Sequence, residues 1–296
     1  MANLTPNLRG ALFMIGSMAF FTLNDTAIKA VGASLPMFQV LFIRALISVV
    51  LLGVVVIWLG QHRLHMPRRD LGLIAARSVM DVASVYFFFN ALFNMPLASL
   101  SAILQTLPLT VTLAGALFLG EPVGWRRMAA ILIGFVGVLL IIKPGADSFN
   151  VYSVYGLATV IVVTARDIFA RKISGSAPTF IVALANAVAI LGFAALAIPF
   201  SPWQPVDAQQ YGLITLAAGL IVVAYFCSVA TMRIGEIAFV TPFRYTSLLF
   251  ALLLGFLFFD ELPDIWTLIG SVIVVATGLF TLLREARLKR QQRTNA

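Results

Sequence analysis

Long apolar stretches separated by short polar connections run along the whole chain. A helix needs about 20 mostly apolar residues to cross the hydrocarbon core of a bilayer, and breaks at polar clusters, Pro and Gly divide this chain into ten such stretches. The pattern therefore predicts an all-α integral membrane protein with ten transmembrane helices and no inserted soluble domain. The predicted spans are 8–31, 35–60, 71–93, 97–119, 126–143, 152–171, 177–199, 211–232, 237–258 and 264–283.

Lys and Arg fall unevenly on the two sides that these spans define. Lys143 and Lys29 lie on the side away from the N-terminus, and Arg44, Arg77, Arg166 and Arg244 lie within spans. Positive residues mark the cytoplasmic side. We therefore expect a multi-pass protein of the cell (inner) membrane with both termini in the cytoplasm. The cations on the N-terminal side are Arg9, Arg63, Arg68, Arg69, Arg126, Arg127, Arg171, Lys172, Arg233, Arg284, Arg287, Lys289, Arg290 and Arg293.

The composition agrees with this pattern. Hydrophobic residues make up 61% of the 296 residues, charged residues 11%, and the mean hydropathy is +1.01. A soluble domain has roughly 45–50% apolar and about 25% charged residues, so the soluble class is excluded. The single Cys227 excludes a disulfide scaffold. The net charge of +8 is explained by membrane orientation, and we expect no nucleic-acid partner.

The two halves of the chain resemble each other. A shift of 142 residues aligns the first and second spans with the sixth and seventh, and a shift of 140 aligns the fourth with the ninth. We therefore divide the chain into a first five-helix repeat (1–147) and a second five-helix repeat with a basic C-terminal tail (148–296). The aligned pairs are Asp25 with Asp167, Lys29 with Arg171, Pro36 with Pro178, Ala98 with Ala238, Gly115 with Gly255, and Glu121 with Glu261.

Five is an odd number of spans, so the second repeat enters the membrane from the opposite side. Inverted repeats are typical of secondary transporters, which bind substrate near the bilayer midplane at the repeat interface. Two inverted copies can exchange conformations, so that a central cavity opens to each face in turn. The predicted architecture therefore favours transport by alternating access.

Two related segments carry a resemblance to a known family. Residues 89–125 (FNALFNMPLASLSAILQTLPLTVTLAGALFLGEPVGW) and 234–264 (IGEIAFVTPFRYTSLLFALLLGFLFFDELPD) resemble the drug/metabolite transporter superfamily, in its ten-helix EamA-like branch. Arg44, in FIRALISVVLL, matches an Arg that such proteins often place in the second helix. The resemblance implies a 5+5 fold, a central cavity and transport of small organic metabolites, most often export. Asn186 departs from the repeat, because it stands where a second Arg44 is expected.

Ionisable residues within the spans are candidates for function, because each costs roughly 2.5–3.5 kcal/mol to insert at a helix centre. Asp81 lies near mid-depth and is our candidate for both substrate binding and proton coupling. Arg77 lies four residues before it, where an ion pair is easy to form. Such a pair also fits a purely structural role. Arg44 and Arg244 fit a substrate carboxylate, although a salt bridge, with Asp25 as a partner of Arg44, is equally consistent with the sequence.

Two other intramembrane charges lie close to the predicted inner face. Arg166 and Asp167 are adjacent near the end of the sixth span. For Arg166 we expect the guanidinium to snorkel to the headgroup region.

Prolines interrupt two apolar spans beside polar side chains. Pro108 and Pro242 are expected to kink the fourth and ninth helices, because proline removes a backbone hydrogen bond. Gln105 and Arg244 lie near these prolines, and the repeat places Gln105 opposite Tyr245. Two kinked helices of opposite direction with polar side chains near mid-depth would suit a substrate site. Bending for packing alone is the alternative.

Tyrosines and glycines complete the set of predictions. Tyr86, Tyr225 and Tyr245 are candidate substrate contacts, because a hydroxyl at membrane depth needs a partner, whereas most of the 24 Phe must face lipid or other helices. Small residues favour close helix packing, and those in question are Gly134, Gly137, Gly270 and Gly278.

These observations predict a membrane transporter that exports amino acids or similar small metabolites. The alternative is an uptake carrier for a vitamin or cofactor-like molecule such as riboflavin or S-adenosylmethionine, and a membrane-embedded enzyme is a remote third. We expect no enzymatic activity, no cofactor and no metal. The expected partners are a small-molecule substrate and the lipid bilayer, and monomer and homodimer both stay open.

Overall fold

The structure is a computed structural model, and it describes residues 5–61, 67–118, 120, 124–144, 150–172, 178–234 and 237–294. Ten helical segments of this part of the chain are long and apolar enough to cross a membrane, as the sequence predicts. The helices are α1 (Pro6–Gly32), α2 (Met37–Trp58), α3 (Arg68–Asn94), α4 and α5 (Leu97–Leu104 and Leu107–Phe118), α6 (Trp125–Ile142), α7 (Tyr152–Lys172), α8 (Thr179–Ala197), α9 (Ala208–Ile234), α10 and α11 (Ile237–Val240 and Thr246–Phe259) and α12 (Ile265–Thr294).

The fourth and ninth spans are interrupted, the seventh ends in a 3-10 turn over Ile198–Phe200, and the other seven described spans are continuous α-helices. α4 ends at Leu104 and α5 begins at Leu107, so Pro108 lies in the first turn of α5. A 3-10 segment over Thr241–Tyr245 separates α10 from α11, and Pro242 lies in its first turn. Proline is tolerated at such a position because the first amides of a helix have no partner within that helix. The two prolines therefore begin a second helical segment in each span.

The helices pack into two compact units. Unit 1 comprises Met1–Thr22, Met95–Ser153 and Val223–Ala296, and unit 2 comprises Leu23–Asn94 and Val154–Val222. Each unit therefore takes helices from both halves of the chain.

Glycines allow α6 and α12 of unit 1 to pack closely. A Cβ added at Gly137 would lie 2.9 Å from the carbonyl oxygen of Gly270, and one added at Gly134 would overlap the side chain of Leu109. The position of Gly137 leaves room only for hydrogen, because the Gly270 backbone cannot move aside, whereas at Gly134 the flexible Leu109 side chain would have to shift. The close packing predicted for these small residues is confirmed.

An ion pair joins the same two helices where α6 ends and α12 begins. Lys143 follows α6 in the left-handed conformation (φ 53°), and its Nζ lies 2.6 Å from the Asp264 carboxylate. Asp264 Oδ1 accepts the amide hydrogens of Trp266 (2.9 Å) and Thr267 (3.2 Å), so it caps the N-terminus of α12. Partial burial alone would raise the pKa of Asp264, but hydrogen bonds from Lys143 and Thr267 lower it to about 2.

A second carboxylate caps the fourth span. Glu261 Oε2 accepts the amide hydrogen of Leu97, the first residue of α4, at 2.8 Å. Asp260 precedes it in the left-handed conformation (φ 53°), and Gly120, 140 residues earlier, has φ 68°. The two positions correspond under the shift that aligns the fourth and ninth spans. Glu121 lies outside the described residues.

Unit 2 is built on α2, α3 and α8, and α8 packs against both of the other helices. The side chain of Gln39 in α2 both donates to the carbonyl oxygen of Gln204 (2.7 Å) and accepts from its amide (3.0 Å). At the end of α1, Gly32 lies against the ring of Phe93, and a Cβ added at Gly32 would clash with that ring. These polar and steric contacts fix helix ends, where unpaired backbone groups would otherwise remain.

Candidate functional site

A charged cluster lies in the spans of unit 2, centred on Asp81 in the middle of α3. The Asp81 carboxylate accepts a hydrogen bond from Arg166 Nη1 at 3.1 Å and lies 3.5 Å from Arg77 Nη1. The residue is only 6% exposed. The predicted Arg77–Asp81 ion pair is confirmed, and a second arginine from α7 joins it.

Arg166 connects this pair to a further carboxylate. Its Nε donates to Asp167 Oδ1 at 2.9 Å, and its Nη2 lies 2.8 Å from the same oxygen. Its side chain is 25% exposed and points to Asp81 and Asp167, whereas the sequence favoured a snorkelling side chain. The electrostatic gain from two nearby carboxylates exceeds the gain from reaching the headgroups. Two arginines and two aspartates form one cluster, which we call the Asp81 cluster.

The position at which the repeat departs from symmetry lies next to the Asp81 cluster. The Ser78 hydroxyl, one turn before Asp81, donates to Asn186 Oδ1 at 2.8 Å. Asn186 is the residue that replaces a second Arg44 in the aligned repeat. A neutral amide at this place keeps a third guanidinium away from Asp81.

Aromatic rings gather further along α3. The Tyr86 ring lies 5.5 Å from that of Phe87, 6.5 Å from that of Tyr155 and 6.4 Å from that of Phe193, between ring centroids. We call these four residues the aromatic cluster. Tyr86 lies about 7.5 Å beyond Asp81 along the helix, at 1.5 Å per residue. Charged and aromatic side chains therefore occur within a few turns of each other in unit 2.

Arg44 occupies a separate position in unit 2. Its guanidinium carbon lies 5.5 Å from the ring centroid of Phe89, within cation–π range. Asp25 accepts a hydrogen bond from Asn24 at 2.8 Å and interacts electrostatically with Arg44. Asp25 and Arg44 therefore interact electrostatically, as one of the two readings of the sequence expects, and both residues are half-buried.

In unit 1, the two interrupted spans are joined by one side chain. Gln105 lies between α4 and α5 and is 7% exposed. Its amide nitrogen donates to the Ser247 hydroxyl at 2.7 Å and to the Arg244 carbonyl oxygen at 3.3 Å. These bonds bring Gln105 of the fourth span against the interrupted part of the ninth span. A 3-10 turn leaves carbonyl groups poorly paired, and an amide is a suitable donor to one of them.

Neighbouring residues of the ninth span point in different directions. Arg244 is exposed, whereas Tyr245 is 6% exposed and packs against Gly278 of α12, where any Cβ would collide with its hydroxyl. Within the described residues, the Tyr245 hydroxyl has no hydrogen-bond partner. In this conformation Tyr245 serves helix packing, and Arg244 is the accessible member of the pair.

Tyr225 of α9 lies in the apolar part of unit 1. Its ring meets that of Phe21 edge-on, at 5.4 Å and 84°. Phe21 and Phe243 pack against a core that includes Met14 and Val240. Tyr225 is itself 41% exposed.

The predicted site residues thus fall into both units. Arg44, Asp81 and Tyr86 belong to unit 2, and a second group belongs to unit 1. Sequence reasoning did not place Tyr155 or Ser247 in a site. Asp167 was visible as the repeat partner of Asp25, and that correspondence was the signal available. The unit 1 group is Gln105, Tyr225, Arg244 and Tyr245.

Ten spans with arginine and aspartate at membrane depth are the features of a multi-pass membrane transporter. Within the described residues, no three His, Cys, Asp or Glu side chains are arranged to hold a metal ion. A family model described as the EamA-like transporter family matches residues 8–143. Residues 8–143 are therefore similar to the EamA-like transporter family, and relatives named as transporters match along most of the chain.

The relatives are named as transporters of different compounds, and none of the three that follow is named as an enzyme. The pseudopaline exporter CntI of Pseudomonas aeruginosa is 28% identical over 90% of this chain and 93% of its own. The riboflavin transporter of Vibrio cholerae is 28% identical over 98% of both chains. The S-adenosylmethionine uptake transporter of Rickettsia conorii is 24% identical over 95% of this chain and 94% of its own.

The fold is also found in a solved crystal structure. That chain matches with a TM-score of 0.65 over 94% of this chain and 98% of its own, at 20% identity. At this identity the likeness is one of fold alone.

Proposed function

We propose that the protein is a secondary transporter that exports amino acids or similar small zwitterionic metabolites by alternating access between two inverted repeats. The Asp81 cluster carries this proposal. In this cluster the Asp81 carboxylate lies within hydrogen-bond distance of the Arg166 guanidinium and within ion-pair distance of the Arg77 guanidinium. An amino acid carries the same two charges, so its ammonium group can replace an arginine at Asp81 while its carboxylate binds that arginine bidentately.

Local correspondences between the halves support the inverted repeat. The helices that follow the breaks in the fourth and ninth spans begin at Leu107 and Thr246, 139 residues apart. The left-handed residues Gly120 and Asp260 are 140 residues apart. Pro36 and Pro178, 142 residues apart, precede α2 and α8 with similar dihedral angles. Repeats of this kind typically bind substrate at discontinuous helices. We therefore retain Gln105 and Arg244, which lie at the two interrupted spans, as proposed substrate contacts.

Coupling to protons is proposed at Asp81. A carboxylate that exchanges partners between an arginine and a substrate is a natural place for a proton to bind in the empty carrier. The test is uptake of radiolabelled amino acids into proteoliposomes under an imposed pH gradient. We expect Asp81→Asn to abolish the dependence on the gradient, with Asp207→Asn, in a connection outside the spans, as the matched control.

The proposal is wrong if gradient-driven transport by Asp81→Asn equals that of the control. A ligand-stabilisation screen against amino acids, vitamins and nucleotides identifies the substrate independently of transport. Arg244→Ala should remove that stabilisation. Binding that survives this change excludes Arg244 as a substrate contact.

Uptake of a flat aromatic compound such as riboflavin is the second candidate, and the aromatic cluster favours it. The Tyr86 ring contacts three other rings, with centroids about 5.5–6.5 Å from its own. A planar ring system can make the same contacts if it takes the place of the Tyr86 ring. The Vibrio cholerae relative, which matches over 98% of both chains, is named a riboflavin transporter. Tyr86→Ala should then weaken riboflavin binding, measured by flavin fluorescence, and leave amino-acid binding unchanged.

A further inference from the structure

An apolar groove lies between α6 and α12 of unit 1, outside the charged and aromatic clusters. Its volume is about 380 Å³. Along α6 it extends from Trp125, which is 75% exposed, to Ile133, and along α12 it extends from Ala276 to Phe280. The remaining lining residues are Arg126, Ala129, Ala130 and Thr277. The small side chains in its floor leave a channel about two helical turns long.

Positive charge and an indole mark one end of this groove. The Arg126 guanidinium stacks over the Trp125 ring at 5.3 Å, which holds the charge at the groove entrance. Arg284 follows Phe280 by one turn of α12, so it lies on the same helix face. Trp and Arg at the end of a span are typical of the headgroup level of a bilayer.

We propose that this groove binds an anionic phospholipid, with one acyl chain along the apolar floor and the headgroup phosphate at Arg126. Basic pockets between transmembrane helices are suited to acidic lipid headgroups. A free phosphate would find the charge but would leave the apolar channel empty. The combination of a long apolar floor with a cationic entrance fits a lipid.

Charge also argues against a second copy of the chain in this groove. A two-fold interface places the same patch of both copies together. Arg126 and Arg284 of one copy would then approach those of the other, and like charges that face each other across an interface are unfavourable. A lipid phosphate neutralises the same arginines.

The experiment measures quenching of Trp125 by brominated lipids in nanodiscs. A single-tryptophan protein is made by replacing Trp58, Trp203 and Trp266 with Phe. Phosphatidylglycerol brominated near the top of its acyl chains is titrated into phosphatidylcholine discs, in parallel with brominated phosphatidylcholine. We expect half-maximal quenching at an about fivefold lower mole fraction of the anionic lipid, the selectivity expected for one Arg near an anionic headgroup.

Variants test whether Arg126 is the source of the selectivity. Arg126→Ala should bring the two quenching curves together, whereas Arg126→Lys should keep them apart. Arg69 is an exposed arginine at the start of α3, and Arg69→Ala should leave the fivefold difference unchanged. Equal quenching by both lipids in the parent protein overturns the proposal, as does an equal loss in Arg126→Ala and Arg69→Ala. A third result also overturns the proposal. If both lipids quench weakly and Ile133→Cys in a Cys227→Ala background forms disulfides between copies, the groove is occupied by a second copy of the chain.

Discussion

At the residue scale, the charges of the Asp81 cluster compensate one another. Asp81 contacts two arginines, and Arg166 contacts two aspartates. Burying an ion costs several kcal/mol unless its partner and hydrogen bonds offset the lost hydration. Replacing one member of the cluster leaves a buried charge without its partner. Such a replacement should therefore cost more stability than replacing an oppositely charged pair together.

This coupling gives a prediction for stability. We expect Asp81→Asn to lower the free energy of unfolding by about 3 kcal/mol, because Arg77 and Arg166 then lose a buried counter-charge. The double variant Asp81→Asn with Arg166→Gln should recover a large part of that loss. Thermal unfolding of the purified protein in detergent measures both. Additive losses in the double variant would show that the two residues do not interact.

Asp264 gives a prediction for pH. Its folded pKa of about 2 lies below its ordinary value of 3.8, so its ionised form stabilises the fold above about pH 4, and this contribution is lost as the pH falls towards 2. The carboxylate is largely exposed and screened by solvent, so we expect about 0.5 kcal/mol. Asp264→Asn should lower the melting temperature slightly at pH 7.

The melting temperatures of the parent and of Asp264→Asn should converge as the pH approaches 2. Asp207→Asn provides the control, because it removes a capping carboxylate from another helix, at Gln210. A difference between parent and Asp264→Asn that stays constant down to pH 2 contradicts the assigned role.

At the element scale, the contact between α6 and α12 depends on the absence of side chains at two glycines. Gly270→Ala would place a methyl group against the Gly137 carbonyl and the side chain of Ile141. Overpacking of this kind costs about 1–3 kcal/mol. We expect Gly270→Ala to be clearly destabilised in thermal unfolding.

Gly53 of α2 is the matched control for that substitution. No heavy atom lies within 4 Å of a Cβ added there. Gly53→Ala should be neutral or slightly stabilising, because Ala is the better helix former. Equal effects at both glycines would exclude packing as the cause.

The same elements show how far sequence alone leads. Ten spans were predictable because hydrophobic length is a local property, and the Arg77–Asp81 pair was predictable because four residues make one helical turn. The bond between Arg166 and Asp81 joins residues 85 positions apart, and periodicity contains no information about it. The burial of Tyr245 against Gly278 depends likewise on which helices become neighbours.

At the scale of the whole molecule, orientation is the property that the cation distribution predicts. Cys227 is the single cysteine of the chain, so a Cys227→Ala protein is a clean background for labelling. In intact cells, a membrane-impermeant maleimide should react with Pro205→Cys and leave Arg69→Cys unlabelled until the cells are lysed. Labelling of both in intact cells, or of Arg69→Cys alone, contradicts ten spans with cytoplasmic termini.

The interleaved membership of the two units has a consequence for biosynthesis. Unit 2 ends at Val222, so all of its segments have left the ribosome while the last spans are still being made. The first segment of unit 1, Met1–Thr22, is synthesised long before the final segment with which it packs, which begins at Val223. Nascent chains arrested once residue 222 has emerged from the ribosomal exit tunnel should therefore already protect unit 2 from protease. Completion of unit 1 then becomes the last step in the maturation of the newly inserted protein.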